Sequence, residues 1–144
     1  MLQKSPKKVP RLRFPEFERE WEIKQLGFIT DVRDGTHDSP KFFDRGKALI
    51  TSKNLLKNGK LDLSNVSYIS EEDFKNINRR SCVDVGDILF GMIGTIGNPV
   101  RVESNDFAIK NVALIKESGK LCNSFLIHYL ASPSISRQFF QKNV

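Results

Sequence analysis

The sequence predicts an α+β fold: a single compact domain of many short, largely antiparallel strands in a twisted sheet, with one middle helix and a helical C-terminal end. Three observations carry that prediction. Residues 85–97 hold a short apolar block opened by Gly86-Asp87 and closed by Gly91, Gly94 and Gly97. The block is too short for a typical helix and is interrupted by glycine, so it reads as a buried strand ending in a bulge or bend. Ser70-Glu71-Glu72-Asp73 has the chemistry of a helix start, with a capping serine and acids that complement the dipole. Asn123-Ser124 and Ser132-Pro133 each open a helical segment near the end of the chain.

The elements follow in order. Residues 1–13 carry Lys4, Lys7, Lys8, Arg11 and Arg13, no acid, and prolines at 6 and 10. They are expected to form a basic flexible arm, either a solvated tail or a strap lying along phosphates. Trp21 and Ile23 alternate with charges, which predicts an entering strand before Gly27, with Phe14, Phe17 and Trp21 anchoring the arm to the core. Residues 28–32 are a short apolar segment, and residues 33–40 are a loop built on Asp-Gly and Ser-Pro turn chemistry. A strand is predicted over residues 47–51, then a polar break at Ser52-Lys53-Asn54. Lys57-Asn58-Gly59-Lys60 marks a turn, and Val66, Tyr68 and Ile69 end a further strand. The helix capped by Ser70 should run to about Arg80 with Phe74 and Ile77 inward. Arg79 and Arg80 fall in its last turn, where cations are favoured for local reasons alone. Val100-Arg101-Val102 and residues 108–116 supply two more strands, the pair Lys110-Asn111 interrupting the second and facing solvent. Asn123-Ser124 should cap a helix through Ala131 with Phe125, Leu126, Tyr129 and Leu130 as its apolar face. Ile135, Phe139 and Phe140 are expected to bury in the last helix.

Composition bounds the function. With 144 residues, 39% hydrophobic and 28% charged, the chain can build one core and not two comfortable ones. Eleven Phe against one Trp supply much of the expected core volume. The net charge of +6 favours polyanionic partners. Cys82 and Cys122 form no C-x-x-C pair, which argues against a zinc knuckle or disulfide framework. No apolar leader or membrane-length run is present, so a cytoplasmic location and no membrane partner are expected.

Catalytic chemistry is not indicated. The glycines read G-x-x-G-x-x-G, neither the dinucleotide fingerprint nor a phosphate loop ending in G-K-[ST]. There is no G-x-S-x-G elbow. Cys82 with His37 or His128 has no supporting pattern, and His128 sits among Leu126, Ile127, Tyr129 and Leu130 on a predicted helix. No catalytic residue, metal ligand or cofactor site is expected.

Several landmarks recur in a familiar order: Arg13-Phe14-Pro15-Glu16-Phe17 with Trp21; Asp34-Gly35-Thr36-His37 then Pro40; Lys53-Asn54; Tyr68-Ile69-Ser70; Gly86-Asp87-Ile88-Leu89-Phe90; Gly94-Thr95-Ile96-Gly97; and residues 125–130 before Ser132-Pro133. Over nearly all of its length the chain resembles one target recognition domain of the specificity subunit of type I restriction-modification enzymes. The resemblance implies a non-catalytic reader of double-stranded DNA that serves one half of a bipartite site. It also implies methylation subunits as partners, which bind S-adenosylmethionine themselves, and restriction subunits through them. Residues 14–144 would be the recognition domain, the N-terminal half-site reader, ending before the long spacer helix of the family. The alternative is a truncated specificity fragment acting as a protein-interaction module for methylation or other specificity subunits.

A DNA reader needs phosphate contacts for affinity and base contacts for sequence. Expected phosphate holders are Arg33, Lys41, Lys53, Arg79 and Arg80. Expected base readers are Asn54 for adenine and Arg33 or Lys53 for guanine, with Thr36 and His37 nearby. Asp34 and Thr36 are also expected to bond their own backbone and fix the turn. Arg33, Lys41 and Lys53 should share one basic hollow. A single-strand binder ranks last, because most of the Phe are expected to be buried.

Overall fold

The computed structural model describes residues 9–142, so residues 1–8 of the expected arm lie outside the described residues. In chain order it contains α1 (Leu26–Ile29), β1 (Val32–Asp34), β2 (Lys47–Ile50), a 3-10 turn (Ser52–Asn54), β3 (Ser67–Ile69), α2 (Glu71–Ser81), β4 (Ile88–Gly91), β5 (Gly97–Arg101), β6 (Phe107–Ile109), β7 (Val112–Ile115), α3 (Asn123–Leu130) and α4 (Pro133–Lys142). The class is α+β. The short strands divide between two sheets: β1-β7-β4-β5, antiparallel throughout, and β3-β2-β6, where β2 and β6 run parallel.

Three apolar clusters stack these elements into four layers. Ile50, Phe107 and Ile109 of one sheet meet Leu89, Val100, Val112 and Leu114 of the other in the central cluster. On the outer face of the four-stranded sheet, Ile88, Phe90, Ala113 and Ile115 pack against Leu126 and Leu130 of α3 and Ile135 of α4. On the outer face of the three-stranded sheet, Leu49, Ile69 and Ala108 meet Phe74 and Ile77 of α2. The order is helix, sheet, sheet, helices. It explains the unbroken apolar run of β4: all four residues are buried because both faces are covered. Each fully buried Leu or Ile here stabilises the fold by roughly 1.5–3 kcal/mol.

The helix start at Ser70 is as expected. Its Oγ accepts the Asp73 amide at 3.0 Å, three acids fill the first turn, and Arg79 and Arg80 fill the last.

Five expectations need correction. No strand forms through Trp21 and Ile23; this segment has no regular structure, and Trp21 is 63% exposed, as Phe14 and Phe17 also are. No neighbouring strand is there to take up the alternation, so the three aromatics do not anchor into the core. Eight of the eleven Phe are exposed; none of those eight lies on a named strand, although Phe43 bridges Tyr68 at the edge of the three-stranded sheet. Residues 108–116 are two strands in two different sheets. Asn111, at φ +57°, turns the chain from one to the other, a conformation that asparagine tolerates better than most residues. Finally, Cys122 and not Asn123 precedes α3, and Asn123 is fully buried. Its Nδ2 donates to the Gly86 carbonyl at 2.9 Å, a buried acceptor that needs a donor more than the helix needs a cap. At the C-terminal end Phe125, Tyr129 and Phe140 are exposed; only one stripe of each short helix reaches the sheet. Phe139 lies with its ring centroid 5.0 Å from that of Phe90. Among the described residues no helix is long and apolar enough to cross a membrane.

Candidate nucleic-acid interface

Both sheets present loops at one end of the sandwich. There β1 and β4 stop and β7 begins, while β2 and β6 stop in the other sheet. The Gly35 amide donates to Val112 O at 3.0 Å, and the Lys110 amide to Ile50 O at 2.9 Å. Thr36 joins the edge of β6, its amide bonding Ile109 O at 3.2 Å and its carbonyl accepting the Asn111 amide at 3.1 Å. Gly35 must pass close to do this: a Cβ there would lie 3.0 Å from Ile109 O.

His37 closes this seam. Its Nε2 lies 2.7 Å from Asp34 Oδ2 and its Nδ1 2.7 Å from Asn111 Oδ1. Two oxygen acceptors on one ring favour the doubly protonated imidazolium. The bond to Asp34, then that to Asn111, raise the His37 pKa above its ordinary value of 6.5, while Arg80 opposes them slightly. Asp34 therefore serves His37 and does not bond its own backbone; its other oxygen is buried and unpaired. Thr36 does behave as expected, its Oγ1 accepting the Asp38 amide at 3.2 Å. Lys110 and Asn111 do not simply face solvent. Both are half-buried, and Lys110 Nζ donates to Ser39 Oγ at 2.8 Å.

The expected site residues separate into groups. Thr36 and Arg80 line one cleft of about 350 Å³ between α2 and residues 36–40, together with Asp38 and Asp73, so this cleft is mixed in charge. Arg79 is exposed one residue away. Lys41 lies over the Phe43 ring, 5.5 Å from its centroid. Arg33 points away from the loops: its Nη2 lies 2.7 Å from Asp31 Oδ2, at the start of β1, and the bond to Asp31 raises its pKa. Asn54 is buried and fully engaged. Its Oδ1 accepts the Thr51 amide, and its Nδ2 donates to Asp62 O and Asn65 O, each at 3.0 Å. That amide has nothing left to offer a base; it braces the turn that carries Lys53. Arg33, Lys41 and Lys53 stand in three different surroundings: beside Asp31, over the Phe43 ring and on the turn braced by Asn54.

A different cationic face was missed. Residues 51–60 carry Lys53, Lys57 and Lys60 and no acid, and residues 91–100 carry no acid either. The fold lays these two segments together. Ser52 Oγ donates to the Ile93 carbonyl, Asn98 Nδ2 donates to Leu55 O at 2.9 Å, and Gly59 faces Pro99 O. All three lysines are exposed, and none has an ion-pair partner among the described residues. The nearest acid in sequence, Asp62, is turned onto the Ser64 hydroxyl and amide, which lower its pKa. The sequence signal was the absence of acids in two segments forty residues apart, visible only once they touch.

Neither protein-family models nor curated proteins give a match to this chain.

Proposed function

We propose that this chain reads double-stranded DNA as one target recognition domain of a type I restriction-modification specificity subunit, binding one half of a bipartite site without catalysis of its own. The observation that carries this reading is the exposed, unpaired set Lys53, Lys57 and Lys60 on a segment without acids, which the fold lays against residues 91–100, equally without acids. Three unpaired cations on neighbouring turns suit a run of phosphates. Thr36, His37 and Arg80 add hydrogen-bonding groups on an adjoining flank. Methylation subunits would supply S-adenosylmethionine and link the domain to restriction subunits.

Titration of a labelled mixed-sequence duplex at low and moderate salt tests this. Lys53→Ala and Lys57→Ala should each reduce the slope of log affinity against log salt by about one. Arg101→Ala, on a residue 3.9 Å from Glu117 at the other end of the sheet, should leave it unchanged. Absence of duplex binding even at low salt overturns the proposal.

A second reading has its own observation. Phe125, Tyr129 and Phe140 stay exposed on α3 and α4, which suits an interaction module for methylation or other specificity subunits. Co-purification with a methylation subunit together with indifference to DNA would select it.

A further inference from the structure

The β4–β5 connection carries apolar side chains where a soluble loop would normally carry polar ones. Met92, Ile93 and Ile96 are 44%, 50% and 44% exposed. Ile96 borders a groove shared with Phe139 and Phe140 of α4, whereas Met92 and Ile93 do not line it. The connection is fixed in place. Gly91 allows the chain to fold back so tightly that a Cβ there would lie 2.2 Å from Thr95 O, and Ser52 holds the Ile93 carbonyl. The tip is thus an apolar point on a stiff hairpin, beside the Lys53 turn and within a face lacking acids.

An apolar tip beside the exposed, unpaired Lys53, with Lys57 further along the same acid-free segment, matches a ligand that is anionic outside and apolar inside. Duplex DNA has that make-up at a base step, where phosphates flank stacked bases. Aliphatic side chains such as Met and Ile can enter a step from the minor groove and partly unstack it. Resting on the DNA-reading proposal above, we infer that Met92 and Ile93 form a wedge that enters a base step while Lys53 and Lys57 hold the flanking phosphates. Such a wedge reads deformability, favouring flexible pyrimidine–purine steps, without a hydrogen bond to any base.

The test uses the whole chain and duplexes enriched by it from a random pool, with 2-aminopurine placed at successive positions. Binding should raise 2-aminopurine fluorescence at one step. Met92→Ser/Ile93→Ser should abolish that rise and weaken binding about tenfold, with the salt slope unchanged. Lys53→Ala should do the reverse, lowering the salt slope while keeping the fluorescence rise at saturating protein. Both substituted residues are exposed, and an unchanged thermal transition will show that the double variant folds. Retention of both affinity and fluorescence rise by the double variant overturns the wedge and leaves the DNA-reading proposal standing. Failure of the unmodified chain to bind or enrich any duplex overturns that proposal instead. Binding of phosphatidylserine vesicles that is lost in Met92→Ser/Ile93→Ser, with no effect on DNA, reassigns the tip to an anionic membrane surface and overturns the inference.

Discussion

The two ends of the four-stranded sheet treat their polar side chains in opposite ways. At the end where β4 begins and β7 stops, charge is buried and answered. The Asp87 side chain is 1% exposed, and Lys116 Nζ, whose side chain is 14% exposed, reaches it at 2.5 Å. Asp87 also accepts the Asp84 amide at 2.8 Å and the Glu117 amide at 3.0 Å, and Lys116 bonds Asp84 at 2.7 Å. Burial would lower the Lys116 pKa, but Asp84 and Asp87 outweigh it and hold the ammonium above its usual value. At the loop end Lys53, Lys57 and Lys60 have no ion-pair partner among the described residues and the tip is apolar, while His37, Asn54, Asn98 and Lys110 are bonded to their neighbours. One end is closed by its own side chains; the other offers groups that a ligand could satisfy.

The contrast can be broken most forcefully at the closed end. Lys116→Met leaves Asp87 buried without its partner and should cost about 3 kcal/mol, read from urea unfolding. Adding Asp87→Asn should restore part of that loss, and no restoration would mean the pair is not the source. At the loop end, Gly91→Ala drives a Cβ against Thr95 O and should cost about 2 kcal/mol by thermal unfolding. Asn54→Ala removes the donor for two carbonyls and should lower stability by about 1.5 kcal/mol. If Asn54 read bases instead, the variant would keep its stability and lose a sequence preference.

The smallest effect sharpens the comparison through pH. His37 has a folded pKa raised above 6.5 by Asp34 and Asn111, so its contribution to stability is complete below that ordinary value. The contribution is lost as pH rises through the raised value. Wild type should therefore converge on His37→Ala in stability at alkaline pH and exceed it at acid pH. Protection factors of the Thr36 and Asn111 amides, which remove the intrinsic rise of exchange with pH, should fall over the same range in the wild type alone.

Much of the fold could be read from local signals. Ser70 with its following acids places α2, and Gly86-Asp87 before an apolar run places β4, because caps and turns are decided by residues within a few positions of each other. What could not be read depends on partners far along the chain. The alternation around Trp21 is as good as that of many strands, but a strand needs an edge to pair with. Asn123 looks like a cap until the buried Gly86 carbonyl claims its amide. Asn54 has the right chemistry for adenine, and only its distances to Asp62 and Asn65 reveal a brace. In the sequence Lys53 belongs to a polar break and Lys57 and Lys60 to a turn. Their importance as a face comes from lying against residues 91–100, which no local pattern announces.

The pairing of early strands with late ones has a consequence during synthesis. Among the described residues β1 pairs with β7 alone, and β2 takes β6 on one side, so Val32 waits for Ile115 and Ala48 for Phe107. A ribosome must deliver most of the chain before either sheet can be completed. Until then the apolar residues of the first half stay uncovered, and nascent chains arrested before residue 107 should depend on chaperones in a way that the finished protein does not.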